Sequence, residues 1–120
     1  MIRPTSTGMG NATCWPLSRP GATTTAVKIR YEPSEHRPEP KVHPGHDWMF
    51  VLDGTVELTL GELRIIVNTG EAAEFSTMTP HAVAAVDRPA EVLMLLDHDG
   101  QRTHPRTSRS KHDEDASVRR

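Results

Sequence analysis

The chain has 120 residues, 16 acidic and 14 basic side chains, a formal net charge of −2 and one cysteine. This length suits a single domain. A lone cysteine excludes an intramolecular disulfide and any CxxC redox or zinc motif. No apolar run approaches the ~20 residues that a membrane span needs, and the N-terminal residues lack the hydrophobic segment of a signal peptide. We therefore expect a cytoplasmic protein that does not bind a membrane.

Composition divides the chain into three parts. Residues 22–98 are rich in Val, Leu, Ile and Met, and their acidic and basic side chains are interspersed. They form no basic stripe, so direct nucleic-acid binding by this chain is not expected. Residues 1–21 and 99–120 have too few apolar groups to offset the entropy cost of ordering. We predict an irregular N-terminal segment (1–21), one folded domain (22–98) and a disordered charged tail (99–120).

The first predicted strands follow from the apolar pattern. "TTTAVKIRY" (23–31) reads as a strand, and the Pro-rich "EPSEHRPEP" (32–40) reads as a connection. Residues 48–52 are continuously apolar, which predicts a strand covered on both faces. "TVELTL" (55–60) alternates apolar and polar residues, which is typical of a half-buried strand.

Turn signals separate these and the later strands. Asp53-Gly54 favours a two-residue type I′ hairpin, in which both central residues have positive φ. Gly61-Glu62 predicts a second tight turn with Gly first, followed by "LRIIVN" (63–68). Three more short strands are expected near residues 72–75, 81–86 and 90–97. Seven or eight short strands and no amphipathic helix predict an all-β sandwich or small barrel.

Two histidines and a carboxylate are candidate ligands at one end of this barrel. If the chain is extended, His43 and Asp47 share the inward parity of the core residue Met49. His81 opens a strand directly after a proline, at the mouth of the fold. His46 has the opposite parity and would become a ligand only if the preceding Pro-Gly pair rotated it inward. Two imidazoles and one carboxylate suit several divalent metals, including non-haem iron.

The same residues carry a family resemblance. The first cupin motif is G-x5-H-x-H-x3/4-E-x6-G, in which the two His and the Glu bind metal. With Gly54 on its final Gly, the chain resembles this motif with His43 on the second His and Asp47 in place of Glu. Lys41 stands at the first His, and Glu35 stands at the opening Gly. The resemblance implies a double-stranded β-helix (cupin, or jelly-roll) barrel.

The second cupin motif, G-x5-P-x-G-x2-H-x3-N, is matched in spacing from Gly70 to His81. Ser76, Met78 and Ala85 replace its Pro, Gly and Asn. More narrowly, "HPGHDWMFVLDG", "GEAAEF" and "TPH" resemble the barrel half of helix-turn-helix (XRE-type) cupin regulators. A helix-turn-helix half needs about sixty residues and three helices. Too few residues precede the barrel here, so the resemblance implies the sensor module alone.

The resemblance implies a small-molecule binding or sensor module that can hold one divalent metal, such as Fe, Zn, Mn or Ni. Its candidate metal ligands are His43, Asp47, His81 and His46. The candidate pocket residues are Lys41, Trp48, Met49, Val51, Phe75 and Val83.

Other interpretations stay open at this point. A protonated Lys41 cannot coordinate a metal and would repel one. In a metal-free alternative, Lys41 pairs with Asp47 and His43 donates to a backbone carbonyl. A metal-dependent cupin enzyme, such as a dioxygenase or isomerase, is less favoured because Lys41 and Ala85 occupy motif positions. A non-binding dimeric barrel is the third class, and a homodimer is expected because pairing or covering strand edges satisfies their backbone groups.

Overall fold

The structure is a computed structural model that describes residues 1–97 and 116–119. In these residues the chain forms strands and no helix, so none of them belongs to a helix that could cross a membrane. The seven strands predicted within the folded domain are confirmed as β3 to β9. The strands are β1 (Thr7–Met9), β2 (Ala12–Pro16), β3 (Thr24–Tyr31), β4 (His46–Asp53), β5 (Thr55–Leu60), β6 (Leu63–Asn68), β7 (Ala72–Ser76), β8 (His81–Ala85), β9 (Ala90–Asp97) and β10 (Ala116–Arg119).

These strands form two antiparallel sheets. The large sheet has seven strands in the order β1-β2-β3-β9-β4-β7-β10, and the small sheet has three in the order β6-β5-β8. From β4 to β9 the chain passes between the sheets four times, at the β4–β5, β6–β7, β7–β8 and β8–β9 links. This alternation confirms the all-β barrel of jelly-roll type.

The core lies between the two sheets and is mostly aliphatic. In β5 the alternating pattern of "TVELTL" buries Val56 and Leu58 completely and leaves Leu60 2% exposed. The opposite sheet contributes Met49 and Phe75, both fully buried. Burying a side chain of this kind stabilises the fold by about 1.5–3 kcal/mol. The period-two alternation therefore identified the inward face of β5 correctly.

β4 differs from its prediction, because it is not covered on both faces. Met49 and Val51 are fully buried, whereas Trp48 and Phe50 are half-buried and Leu52 is 41% exposed. The rings of Trp48 and Phe50 stack on each other, with centroids 6.3 Å apart. The small sheet covers only the inner face of β4, so this apolar run reflects an aromatic pair on the outer face.

The Asp53-Gly54 hairpin prediction is wrong. β4 pairs with β7 and β9, whereas β5 pairs with β6 and β8. Gly54 has a φ of 83°, but Asp53 is not among the described residues with positive φ, as a type I′ turn would require. Both edges of β4 are already occupied, so the chain crosses here to the other sheet. The turn at Gly61, with a φ of 58°, is the hairpin that was predicted, since Leu60 pairs with Leu63.

The N-terminal segment is also more regular than predicted. β1 and β2 form a hairpin, and β2 extends the large sheet by pairing with β3 from Ala12↔Tyr31 to Pro16↔Val27. Ladder hydrogen bonds to β3 order this segment although it has few apolar side chains. The predicted tail lies outside the described residues, apart from Ala116–Arg119. Those four residues differ from the prediction, because they pair with β7 as an edge strand.

We predict that Gly54→Ala destabilises the fold more than Gly70→Ala. Both glycines have positive φ, of 83° and 86°, so both substitutions should lower the free energy of unfolding by about 1–2 kcal/mol. A Cβ on Gly54 would also lie 2.9 Å from the carbonyl oxygen of Pro89 and 3.0 Å from Ala90, whereas a Cβ on Gly70 meets nothing within 4 Å. Moving the β8–β9 link should cost about 1–3 kcal/mol more. Denaturant unfolding measures the difference, and equal losses would contradict this account.

Candidate metal centre

Three side chains that the sequence singled out meet at one end of the barrel. His43, Asp47 and His81 each offer one ligand atom, and these atoms lie within 4.8 Å of one another. Asp47 is the second residue of β4, His81 is the first residue of β8, and His43 lies in the segment before β4. The two imidazole rings are nearly perpendicular, with centroids 5.0 Å apart.

A short backbone ladder holds His43 beside His81. Lys41 and His81 exchange two hydrogen bonds, with N···O distances of 2.9 and 3.0 Å. Further along, the amide of His43 donates to the carbonyl of Thr77 at 3.0 Å, and the amide of Thr77 donates to the carbonyl of Gly45 at 3.1 Å. Residues 41–45 therefore run antiparallel to residues 77–81, which fixes the two histidines relative to each other.

Asp47 supplies the buried side of the cluster. Its residue exposure is only 5%, and its strand neighbours are Phe75 on β7 and Leu96 on β9. A carboxylate in apolar surroundings is costly unless it is charge-compensated or hydrogen-bonded. His43, by contrast, is exposed. The cluster thus has a closed end at Asp47 and an open end at His43.

Each histidine of the cluster has its Nδ1 atom near a backbone carbonyl oxygen. The Nδ1 atom of His81 lies 3.0 Å from the carbonyl oxygen of Thr79, and the Nδ1 atom of His43 lies 3.4 Å from that of Pro44. With hydrogen on Nδ1, each ring donates to a carbonyl and keeps its Nε2 lone pair for coordination. Burial lowers the pKa of His81, which favours the neutral, coordinating form. The donor set therefore fits a divalent metal of the Fe, Zn, Mn or Ni kind.

Thr77 has a buried polar side-chain atom that lacks a hydrogen-bond partner among the described residues. Its residue is fully buried, and its hydroxyl oxygen has no hydrogen-bond partner in the part of the chain that the structure describes. Buried hydroxyls nearly always bind protein or water. This hydroxyl belongs to the residue whose carbonyl accepts the hydrogen bond from the His43 amide.

Two predicted site residues lie on the outer face of the large sheet instead. The Nε2 atom of His46 is 3.7 Å from a carboxylate oxygen of Glu74, and both side chains are partly exposed. Trp48 stacks on Phe50 and does not line the interior. The strand parity of β4 predicted the outward direction of His46. The structure therefore does not bring His46 or Trp48 to the cluster.

The remaining predicted pocket residues have two locations. Met49, Val51 and Phe75 are fully buried in the core, and the Phe75 ring contacts that of His81, with centroids 5.4 Å apart. Val83 is partly buried and packs against the same core. Lys41 lies at the exposed rim and makes no ion pair with Asp47 or with any other side chain among residues 1–97.

Tyr31 is a polar interior residue that the sequence analysis did not select. Burial raises the pKa of its phenol well above the ordinary range, with further contributions from the charges of Cys14 and Asp47. The phenol therefore remains a hydrogen-bond donor within electrostatic range of Asp47. Its inward direction could have been found from strand alternation, since Tyr31 shares the parity of Val27 and Ile29.

A separate groove of about 430 Å³ lies on the outer face of the small sheet. Its floor includes Thr59, Ala82 and Ala84, and the Pro-rich connection borders it. Arg37 of that connection forms an ion pair with Glu57 in the groove. Glu57 and Thr59 alternate with the buried residues of β5, so this groove and the cluster lie on opposite faces of the small sheet.

Comparisons with known proteins agree with this fold. The chain is similar to hydroxypropylphosphonic acid epoxidase from S. wedmorenis in complex with fosfomycin, with a TM-score of 0.70, 16% identity and coverage of 78% of this chain and 55% of the other. It is similar to a point mutant of oxalate decarboxylase from Bacillus subtilis, with a TM-score of 0.68, 18% identity and coverage of 79% and 27%. It is also similar to an HTH_3 family transcriptional regulator from Vibrio cholerae, with a TM-score of 0.65, 21% identity and coverage of 80% and 52%.

These likenesses establish the fold, and the chain spans between about a quarter and about half of the length of those proteins. No curated protein sequence matches the chain. The family model described as "Cupin domain" matches residues 27–96, which is more than half of the chain. The chain therefore belongs to the cupin family.

Proposed function

We propose that the chain is a small-molecule binding module of the sensor type, with a site built on one divalent metal held by His43, Asp47 and His81. The observation that carries this proposal is the convergence of their ligand atoms within 4.8 Å. The orientation of both Nδ1 atoms towards backbone carbonyls supports it. Fe, Zn, Mn and Ni all suit two imidazoles and a carboxylate.

Each residue of the cluster has a distinct part in such a site. Asp47 supplies the one anionic ligand from the buried side, and His81 supplies a ligand held rigidly by its contacts with Thr79 and Phe75. His43 supplies the third ligand at the exposed end. A metal with three protein ligands keeps coordination positions for water or a bound molecule. The exposed His43 end is the side of the cluster from which we expect a ligand to approach.

The positions of the acidic residues near the cluster support a binding function better than a catalytic one. Glu71 and Glu74 do not converge on a common point, as a general acid and base would need to do. The Glu71 carboxylate accepts a hydrogen bond from the amide of Asn68 at 2.7 Å, and Glu74 lies on the outer face beside His46. The structural neighbours include both enzymes and a regulator, so the fold does not choose between these classes. We place the module in the cytoplasm, as the composition suggested.

We further propose that the outer face of the large sheet pairs with a second copy of the chain. Trp48 lies beside Leu95, and Phe50 lies beside Leu93, so four half-buried apolar side chains form one patch on β4 and β9. The seven strands, three to eight residues long and about 4.8 Å apart, span roughly 650 Å². That area falls in the lower part of the roughly 600–1,000 Å² that each partner contributes to a standard interface.

The metal proposal predicts about one equivalent of bound metal in untagged protein exposed to Zn²⁺, Fe²⁺, Mn²⁺ or Ni²⁺, measured by elemental analysis. The His43→Ala/His81→Ala variant should lose it, because it keeps only one ligand. His46→Ala is the matched control and should retain the metal, since His46 faces Glu74 on the outer face. Metal at about 100 times its Kd should also stabilise the wild type by about 2.7 kcal/mol in thermal unfolding. A folded double variant that binds metal as the wild type does would refute the proposal.

The dimer proposal predicts that light scattering gives twice the chain mass at micromolar concentration, and that Phe50→Glu gives the monomer mass. A carboxylate in the middle of the apolar patch would be buried without a partner in the interface. Ile66→Glu is the control, because Ile66 is 49% exposed on the other sheet and its substitution should leave the dimer intact. Circular dichroism checks that both variants keep their strands. A monomeric wild type, or an equal effect of both substitutions, would contradict this assignment.

A further inference from the structure

Lys41 adds a positively charged side chain next to the three candidate metal ligands. It lies directly opposite His81 in a bridge with both backbone hydrogen bonds formed. Directly opposed residues in an antiparallel pair project their side chains to the same face, with Cβ atoms about 5 Å apart. The ammonium group therefore extends from the same face as the His81 imidazole, on a flexible four-carbon stem.

No acidic side chain of the described residues neutralises this ammonium. Lys41 is exposed and takes part in no ion pair within residues 1–97. The two acidic residues nearest in sequence on its own segment, Glu35 and Glu39, form no ion pair either. The rim of the site consequently carries a positive charge that is available to a ligand.

The net charge of the proposed metal centre also favours an anionic ligand. The cluster has one carboxylate, Asp47, and two imidazoles that coordinate in their neutral form. A divalent cation there leaves a net charge of about +1, and the Lys41 ammonium raises the local charge to about +2. A neutral ligand would leave this charge uncompensated, and a cationic ligand would be repelled.

The surroundings favour an organic anion over an inorganic one. Leu96, which pairs with Asp47, and Val83, two residues along β8 from His81, are apolar, only partly buried and packed against the core. A carboxylate can direct one oxygen to the metal and the other to an ammonium, and its carbon chain can then lie against apolar side chains. Phosphate offers more oxygens but no apolar part for these side chains to contact.

We infer that the ligand of this module is a small organic carboxylate, bound between the metal centre and the ammonium of Lys41. This inference rests on the proposed metal-binding function. It assigns Lys41 a binding role, because its charge-assisted hydrogen bond selects anions over isosteric neutral molecules. The selectivity comes from one side chain at the rim, so it can be removed without touching the metal ligands.

The test uses the Co²⁺-loaded protein, whose visible absorption bands report ligands that enter the metal's coordination. Propionate is the probe, propionamide is its neutral counterpart, and inorganic phosphate is the competing anion. Lys41→Met removes the charge with a side chain of similar length, and Lys41→Arg retains it. The backbone hydrogen bonds to His81 persist in both variants, and the cobalt bands show whether the centre is intact.

We expect propionate to bind wild-type protein at least about tenfold more tightly than Lys41→Met, since a hydrogen bond to a charged group contributes that much or more. Lys41→Arg should stay within a few-fold of the wild type, and propionamide should bind all three proteins equally weakly. Equal propionate affinity in wild type and Lys41→Met would overturn the role of Lys41 while leaving the metal proposal intact. Tighter binding of phosphate than of propionate would overturn the organic carboxylate. Absence of bound cobalt would overturn the proposed function, and this inference with it.

Discussion

The backbone ladder between residues 41–45 and 77–81 is the constraint on which the candidate site depends. Asp47 has its place on β4 and His81 has its place on β8, but these strands belong to different sheets. His43 lies outside any strand and would have no defined position without its bond to the Thr77 carbonyl. Four backbone hydrogen bonds therefore close one end of the barrel and hold the segment with His43 and Asp47 beside His81.

Within the same strands, one group of residues stabilises the fold and another group forms the candidate site. Below the cluster, Met49, Phe75 and Leu58 fill the core and are fully buried. Asp47 extends the same inward-facing row into the site, where a carboxylate replaces an apolar side chain and costs desolvation energy. Local departures of this kind from the apolar pattern are expected at functional positions. The apolar residues Met49 and Val51, which follow Asp47 on the inner face of β4, make such a departure tolerable.

Sequence reasoning succeeded where the information was local. The alternation in "TVELTL" predicted the inward face of β5, and the parity of β4 separated Asp47 from His46 correctly. It failed at Asp53-Gly54, because the dipeptide indicates a tight change of direction but not which strand follows it in the sheet. Gly54 adopts the positive φ that was expected, yet the chain enters the other sheet.

Two other differences have separate causes. The N-terminal segment has few apolar residues overall, and the order of β2 comes from a ladder to β3 that composition does not reveal. Trp48 was named as a pocket residue, but its ring partner is Phe50 on the outer face. The cluster of His43, Asp47 and His81 was accessible because strand parity and motif spacing indicated the same residues. Tyr31, which belongs to no motif, was missed although its parity points inward.

Because Lys41 and His81 are joined through their backbones, the side chain at position 41 can be replaced by one with different chemistry without a change in the fold. Its two hydrogen bonds use only backbone atoms, so any residue except proline preserves the ladder and the placement of His43. A histidine at position 41 would place a third imidazole beside the cluster, whereas lysine places a positive charge there. The scaffold is the same in both cases, so under the proposed function the side chain at position 41 would change which ligand the site selects while the barrel stays unaltered.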